Sequence, residues 1–213
     1  MCVKLYINNN KNRILEAAFF LSLKYGFDNV SIKQIQDEIN VSAGAIYYYF
    51  KDKNDILVNM LNRGLKDEIK DFEKNLKKYD GTLAEKLKFI FYYNIGTNID
   101  NESYKFNLSD NNHDLIRTEY NSFLLGIYHQ HPELRPRFHE ANKYIVKIYT
   151  DFVEEFKQKN EIRSDMDSGN IALYIHTVVS GFTKLWIGFP EIELEDYMDK
   201  NIKMILQTIA VKN

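Results

Sequence analysis

The chain has 213 residues, of which 45% are hydrophobic and 27% charged, and a formal net charge of −2. Such a length suits one large or two modest domains with a sizeable core, and three Pro and nine Gly favour long helices over many short strands. The near-neutral charge excludes a globally basic nucleic-acid binder, and the single cysteine, Cys2, excludes an intramolecular disulfide and a cysteine-based zinc site.

The N-terminus MCVKLYINNNK lacks an apolar core and a small-residue cleavage site, so no signal peptide is expected. A first helix is predicted over about 10–25, with Ile14, Ala17, Ala18, Leu21 and Tyr25 on one face and Gly26 as its C-terminal stop. Ser31 and Gln34 form a capping-box pattern for a second helix. Asn40-Val41-Ser42 reads as a tight turn, with Ser42 capping a third helix that ends in Ile46-Tyr47-Tyr48-Tyr49-Phe50. Two short helices around a three-residue break, with Ile32, Ile35, Ile39, Val41, Ile46 and Phe50 as an apolar framework, fit a helix-turn-helix. Neighbouring helical residues sit about 100° apart, so the three tyrosines cannot share one core, and at least one faces solvent.

Asp52 and Asp55 mark the cap and third position of a fourth helix reaching about Tyr79, stopped by Asp80-Gly81. A fifth carries Leu83, Leu87, Ile90, Phe91 and Ile95; residues 100–112 read as a polar loop. A sixth carries Leu115, Glu119, Phe123 and Ile127 and ends before Pro132. A seventh is striped by Phe138, Ala141, Ile145, Ile148, Phe152 and Phe156, and 160–167 is a turn. The eighth is predicted over about 168–188, broken at Pro190, and the ninth over about 194–211. The stretch 171–189 is the most apolar, but His176, Thr177, Ser180, Thr183 and Lys184 interrupt it, which suits a buried helix of a soluble protein. The expected fold is therefore all-α, with about nine helices: a helix-turn-helix head over 1–52 and a larger helical body over 53–213.

Residues 14–57, ILEAAFFLSLKYGFDNVSIKQIQDEINVSAGAIYYYFKDKNDIL, closely resemble the DNA-binding domain of TetR-family transcriptional regulators. The markers come in order: the alanine-containing first helix, a Gly-Phe turn, S-I-K-Q-I, Val41-Ser42-x-Gly44, Ile46-Tyr47-x-Tyr49-Phe50, and Lys51-x-Lys53-x-Asp55-Ile56-Leu57. The resemblance covers about a quarter of the chain; the rest matches only the pattern of a helical ligand-binding and dimerisation domain. It implies that Ser31 caps its helix and touches a phosphate, that Lys33 reaches a base or the backbone, and that Ala43, Gly44, Ala45 and Tyr48 face base edges. It further implies that Tyr47 and Tyr49 bind phosphates through their hydroxyls, as does Lys53 at the start of the fourth helix. No Arg, Lys, Asn or Gln lies between Ala43 and Phe50, so strong bidentate base contacts are not available from that helix. Alanine methyls against thymine methyls and readout of DNA shape are expected instead, on a thymine-rich palindromic operator. Over residues 1–60, seven basic residues against six acidic ones leave a net +1, a small bias in the right direction.

In the body, Phe89, Tyr92, Tyr93, Phe106, Tyr120, Phe123, Tyr149, Phe182 and Trp186 lie on or beside predicted inner faces. Singly, each suits ordinary core; together they suit an apolar cavity for a small apolar or aromatic effector, with Asn94, His176 and Thr177 as polar contacts. His113, His129, His131, His139 and His176 show no H-x-x-x-H spacing, and Asp110, His113 and Asp114 are more simply a helix cap than a metal site. Neither a G-x-S-x-G, a P-loop nor a dinucleotide fingerprint is present, so no enzyme activity or cofactor is expected. Wide apolar faces on the last two helices (Ile171, Ile175, Val178, Val179, Phe182, Leu185 and Trp186; Leu194, Tyr197, Met198, Ile202, Ile205, Leu206 and Ile209) suit a homodimer through a four-helix interface.

The sequence therefore points to a cytoplasmic, dimeric regulator of double-stranded DNA, a repressor released by a small effector, with no membrane partner. Two alternatives stay open: a DNA-binding regulator controlled by a protein partner, with no small-molecule ligand, and an all-helical enzyme or interaction module that keeps only the shape of the head.

Overall fold

The computed structural model describes residues 10–95, 113–189 and 191–211, without the side chains of 113–119, 121 and 187. The all-α expectation holds: nine α-helices are found among the described residues, and the only strand-like feature is an isolated antiparallel bridge between Ile162 and Ala210. The helices are α1 (Asn10–Tyr25), α2 (Ile32–Ile39), α3 (Ala43–Tyr49), α4 (Lys53–Lys78), α5 (Leu83–Ile95), α6 (His113–Gln130), α7 (Arg135–Gln158), α8 (Ser168–Gly188) and α9 (Leu194–Ile209). Their bounds follow the predicted ones closely. Two short 3-10 turns, Phe27–Asn29 and Pro132–Leu134, were not foreseen. The predicted loop at 100–112, with Phe106, and Pro190 lie outside the described residues. Among the described residues, no helix is long and apolar enough to cross a membrane.

The described residues divide into two compact units. The first holds 10–68 and 113–138, the second 69–95 and 139–211, so α4 and α7 each contribute to both. The first unit thus contains the head, the start of α4 and all of α6.

In the first unit, Ile14, Leu15, Ala17 and Ala18 bury one face of α1 against Ile35, Ile46, Phe50, Ile56, Leu57 and Ile127. Gly26 ends α1 at φ +80°, a backbone angle that L side chains rarely adopt. The box at α2 forms as predicted: Gln34 N–H donates to Ser31 Oγ at 3.2 Å, and Ser31 N–H donates to Gln34 Oε1 at 2.8 Å. Asn40 closes α2 in the left-handed conformation, and Arg13 donates to the Ile39 carbonyl at 2.8 Å. Ser42 accepts from Ala45 N–H to cap α3, and Asp52 accepts from Asp55 N–H to open α4.

In the second unit, α5, α8 and α9 pack on one another around Leu87, Ile90, Phe91, Ile175, Val179, Phe182 and Ile205, with Tyr149, Phe152, Val153 and Phe156 from α7. Most of the apolar faces assigned to the last two helices are used in this core: Ile171, Ile175, Val179, Phe182, Met198, Ile205 and Ile209 are buried within the single chain. Leu185, also assigned to those faces, stays outside instead, together with Leu173, Phe189, Met204 and Val211. Sequence periodicity marks a helix as apolar on two sides without saying which side meets the protomer's own core.

Candidate nucleic-acid interface and effector site

The apolar side of α3 is fixed by Ile46, with Phe50 just beyond its end, both in the head core. This anchoring turns the rest of α3 outward. Ala43, Gly44, Tyr47 and Tyr48 are exposed, while Ala45 is half-buried. Tyr47 is 57% and Tyr48 81% exposed, which answers the question of which tyrosines leave the core. Tyr49 is half-buried on the head core, its ring edge-on to Tyr48 at 4.9 Å. Ser31 and Lys33 are exposed at the first turn of α2.

Two of the expected phosphate ligands are otherwise engaged. Ser31 Oγ donates to Gln34 Oε1 at 2.9 Å while accepting from Gln34 N–H, so its hydroxyl is spent inside the box. The Lys53 ammonium donates to the Phe27 carbonyl at 3.1 Å and the Asp28 carbonyl at 2.9 Å, and lies 5.0 Å from the Phe27 ring centroid. Local spacing could not have signalled this contact, because its partners are 25 and 26 residues away.

The residue pattern of the head is matched by the model of bacterial regulatory proteins of the tetR family over residues 14–60. Residues 14–60 thus carry the DNA-binding pattern of the TetR family. A fatty acid metabolism regulator protein of Bacillus subtilis is 27% identical over 156 residues, 73% of this chain and 72% of that protein. An HTH-type transcriptional regulator of Staphylococcus aureus is 31% identical over 94 residues, 44% of this chain; the match spans 50% of that protein's length. Among solved structures, a fatty acid degradation regulator from Bacillus halodurans superposes with a TM-score of 0.67 at 18% identity, covering 92% of this chain and 94% of the other. The head is thus that of a TetR-type transcriptional regulator, and the all-α fold runs through both units.

The residues expected around an effector are not gathered in one unit. Tyr120 and Phe123 belong to the first, where their rings meet Phe19 edge-on at 5.9 and 6.0 Å, because α6 packs on α1. Phe89, Tyr93, Asn94, Tyr149, His176, Phe182 and Trp186 belong to the second. There Phe89 stacks on Tyr79 at 5.0 Å, and Tyr93 and Tyr149 flank Phe72 at 4.9 and 5.9 Å. Phe182 lies between Phe91 and Tyr197, and Trp186 packs half-buried on the same core.

Two of the three polar candidates, Asn94 and His176, are partly buried in this apolar interior. Asn94 Nδ2 donates to the Ile90 carbonyl at 2.9 Å and its side chain also hydrogen-bonds Tyr149. Burial pushes the Tyr149 hydroxyl above its ordinary pKa, and the Asn94 bond opposes this only in part. His176 Nδ1 is buried without a hydrogen-bond partner among the described residues, and burial lowers the imidazole pKa, keeping the ring neutral. Thr177, the third polar candidate, is exposed on α8 and bonds the Leu173 carbonyl. Among the described residues no three His, Cys, Asp or Glu side chains are gathered as a metal site.

Proposed function

We propose that the chain is a cytoplasmic, dimeric repressor that binds a palindromic operator in double-stranded DNA and leaves it when a small apolar effector binds the body. The observation that carries the DNA reading is the outward face of α3, where Tyr47 and Tyr48 stand free of the core that Ile46 and Phe50 anchor. Ala43, Gly44 and Ala45 let the backbone approach the groove, Tyr47 and Lys33 supply donors to phosphates, and Tyr48 meets base edges. A thymine-rich operator fits a reading surface of methyls and rings.

The body reading rests on the second unit, where Tyr149 meets the Phe72 and His176 rings and hydrogen-bonds Asn94, and where His176 Nδ1 has no partner among the described residues. A buried polar group without a partner is unfavourable in the free protein and becomes favourable when a ligand supplies the partner. The Bacillus subtilis relative is named for fatty acid metabolism, which makes fatty-acyl compounds the first effectors to try. Dimerisation is assigned to α8 and α9, whose outward residues Leu173, Leu185 and Met204 are exposed in the single chain.

The test is selection of duplexes from a random pool by the purified protein, followed by titration of the selected duplex with fatty-acyl compounds. A selected two-fold symmetric site whose affinity falls with effector supports the reading. Reciprocity requires that the same duplex weaken effector binding by the same factor. Enrichment of no duplex would sink the proposal, and an operator affinity unmoved by every effector would sink its ligand arm.

A further inference from the structure

The 3-10 turn Phe27–Asn29 sits between the end of α1 and the cap of α2. Its backbone is closed by Val30 N–H donating to the Phe27 carbonyl at 3.1 Å and by Asn29 N–H donating to the Gly26 carbonyl at 3.1 Å. Ser31 follows immediately and opens α2. Lys53, the first residue of α4, reaches across to this turn. Two of its ammonium hydrogens meet the Phe27 and Asp28 carbonyls, and the Phe27 ring lies beneath the cation. An ammonium has three hydrogens, and two carbonyls with one ring face account for all of them. Phe27 itself is buried in the head core, which holds the turn end of this contact in place.

We propose that Lys53 is a positioning residue: it locks the Phe27–Asn29 turn, and through it the start of α2, in the geometry that meets DNA, and it neutralises no phosphate itself. The inference rests on the DNA reading above and departs from the role that the family resemblance gives this lysine. The electrostatic part of binding is then carried by residues other than Lys53, which the salt dependence of affinity can count. Each phosphate neutralised by a cation adds about 0.9 to the slope of log K against log salt. A latch adds nothing to that slope.

The experiment compares wild type, K53M and K53R. Methionine keeps the stem over Phe27 and loses the donors; arginine keeps donors and charge. Hydrogen exchange in the free proteins follows the amides of Val30 and Gln34, and binding to the duplex selected by wild type is titrated over a range of salt, well below the melting temperature. The expected result for K53M is faster exchange at both amides and an affinity lower by roughly tenfold, the scale of a lost charged hydrogen bond, on an unchanged slope. K53R restores both. A slope lower by about 0.9 in K53M overturns the proposal in favour of a phosphate contact. Unchanged exchange overturns the latch, and faster exchange with unchanged affinity overturns its role in DNA binding. If wild type selects no duplex, the DNA reading fails, whereas the exchange arm still decides whether the latch exists.

Discussion

The imidazole of His176 lies 5.2 Å, centroid to centroid, from the ring of Tyr149, a side chain buried to 1% exposure. Tyr149 has Asn94 as a partner, whereas His176 Nδ1 has none among the described residues. Burial alone lowers the His176 pKa, so the folded chain holds the ring neutral while the unfolded chain takes up a proton near the ordinary value of about 6.5. The sign follows: the full stability is present above about pH 6.5, and it falls as the pH drops from there toward the folded-state pKa. His176→Leu removes both the proton and the orphaned nitrogen. At neutral pH it is expected to gain about 1 kcal/mol, which raises the melting temperature by about 2–4 °C in a chain of this size. The variant's melting temperature should also fall less on acidification, while its effector response weakens. Thermal melts at a series of pH values check this, and parallel curves for the two proteins would refute it.

A second charge–burial balance lies at Lys86, only 4% exposed on α5, whose ammonium meets Glu155 at 3.1 Å. Burial pushes the Glu155 carboxyl up, but hydrogen bonds from Lys159 and Lys86 outweigh it and hold the pKa below the usual value. The pair's stability is therefore present above the ordinary carboxylate range and is lost as the pH falls through the lowered value. Glu155→Gln strands a buried ammonium. It is expected to destabilise the second unit by about 1–3 kcal/mol, less than for a fully buried pair because Glu155 is partly exposed. Lys86→Met removes the charge and the need for a partner together, and should be near neutral or stabilising. Urea unfolding of both variants decides the matter; a costly Lys86→Met beside a harmless Glu155→Gln would reverse the account.

These helices were legible in the sequence because each signal is local. Apolar residues at helical spacing gave α1, α5 and α7, and Ser31, Ser42 and Asp52 gave the caps that the structure contains. What stayed hidden joins residues far apart. The Lys53 contact with Phe27 and Asp28 spans 25 and 26 positions, and the Ile162–Ala210 bridge spans more. The membership of α6 in the first unit, which brings Tyr120 and Phe123 to Phe19, is likewise a matter of packing that no period encodes. The same limit explains the last two helices: hydropathy marked them as buried on two sides, while the division between inner Val179 and outer Leu173 needed the folded chain.

The two faces of the helix-turn-helix predict opposite outcomes for neighbouring substitutions. Ser31→Ala removes the acceptor for Gln34 N–H and the box around it, and is expected to cost about 1 kcal/mol of stability. Tyr48→Ala alters a side chain that is 81% exposed and touches mainly Tyr49, so its stability should stay within about 0.5 kcal/mol of wild type. Its affinity for the selected duplex should fall severalfold. Denaturant melts with fluorescence anisotropy on the same samples separate the two. A Tyr48→Ala protein that binds the duplex as wild type does would remove the tyrosine from the reading surface.

Gly181 offers the sharpest probe of assembly. It lies on the exposed side of α8, and a Cβ built there meets nothing beyond its own stretch of helix within 4 Å among the described residues. Leu185 lies one turn further along the same face, also exposed. The first atom of a side chain at 181 therefore has open space in the protomer, and leaving glycine behind improves helix propensity by several tenths of a kcal/mol. If the proposed dimer packs a partner helix on this face, a bulky side chain at 181 obstructs the close approach that a glycine allows. Gly181→Phe is expected to keep the wild-type helical content and thermal stability of the protomer while shifting the mass in light scattering from dimer to monomer. Operator affinity should fall steeply with it, since a palindrome is held by two heads at once. A Gly181→Phe protein that scatters as the wild type does would move the interface to another face of the molecule.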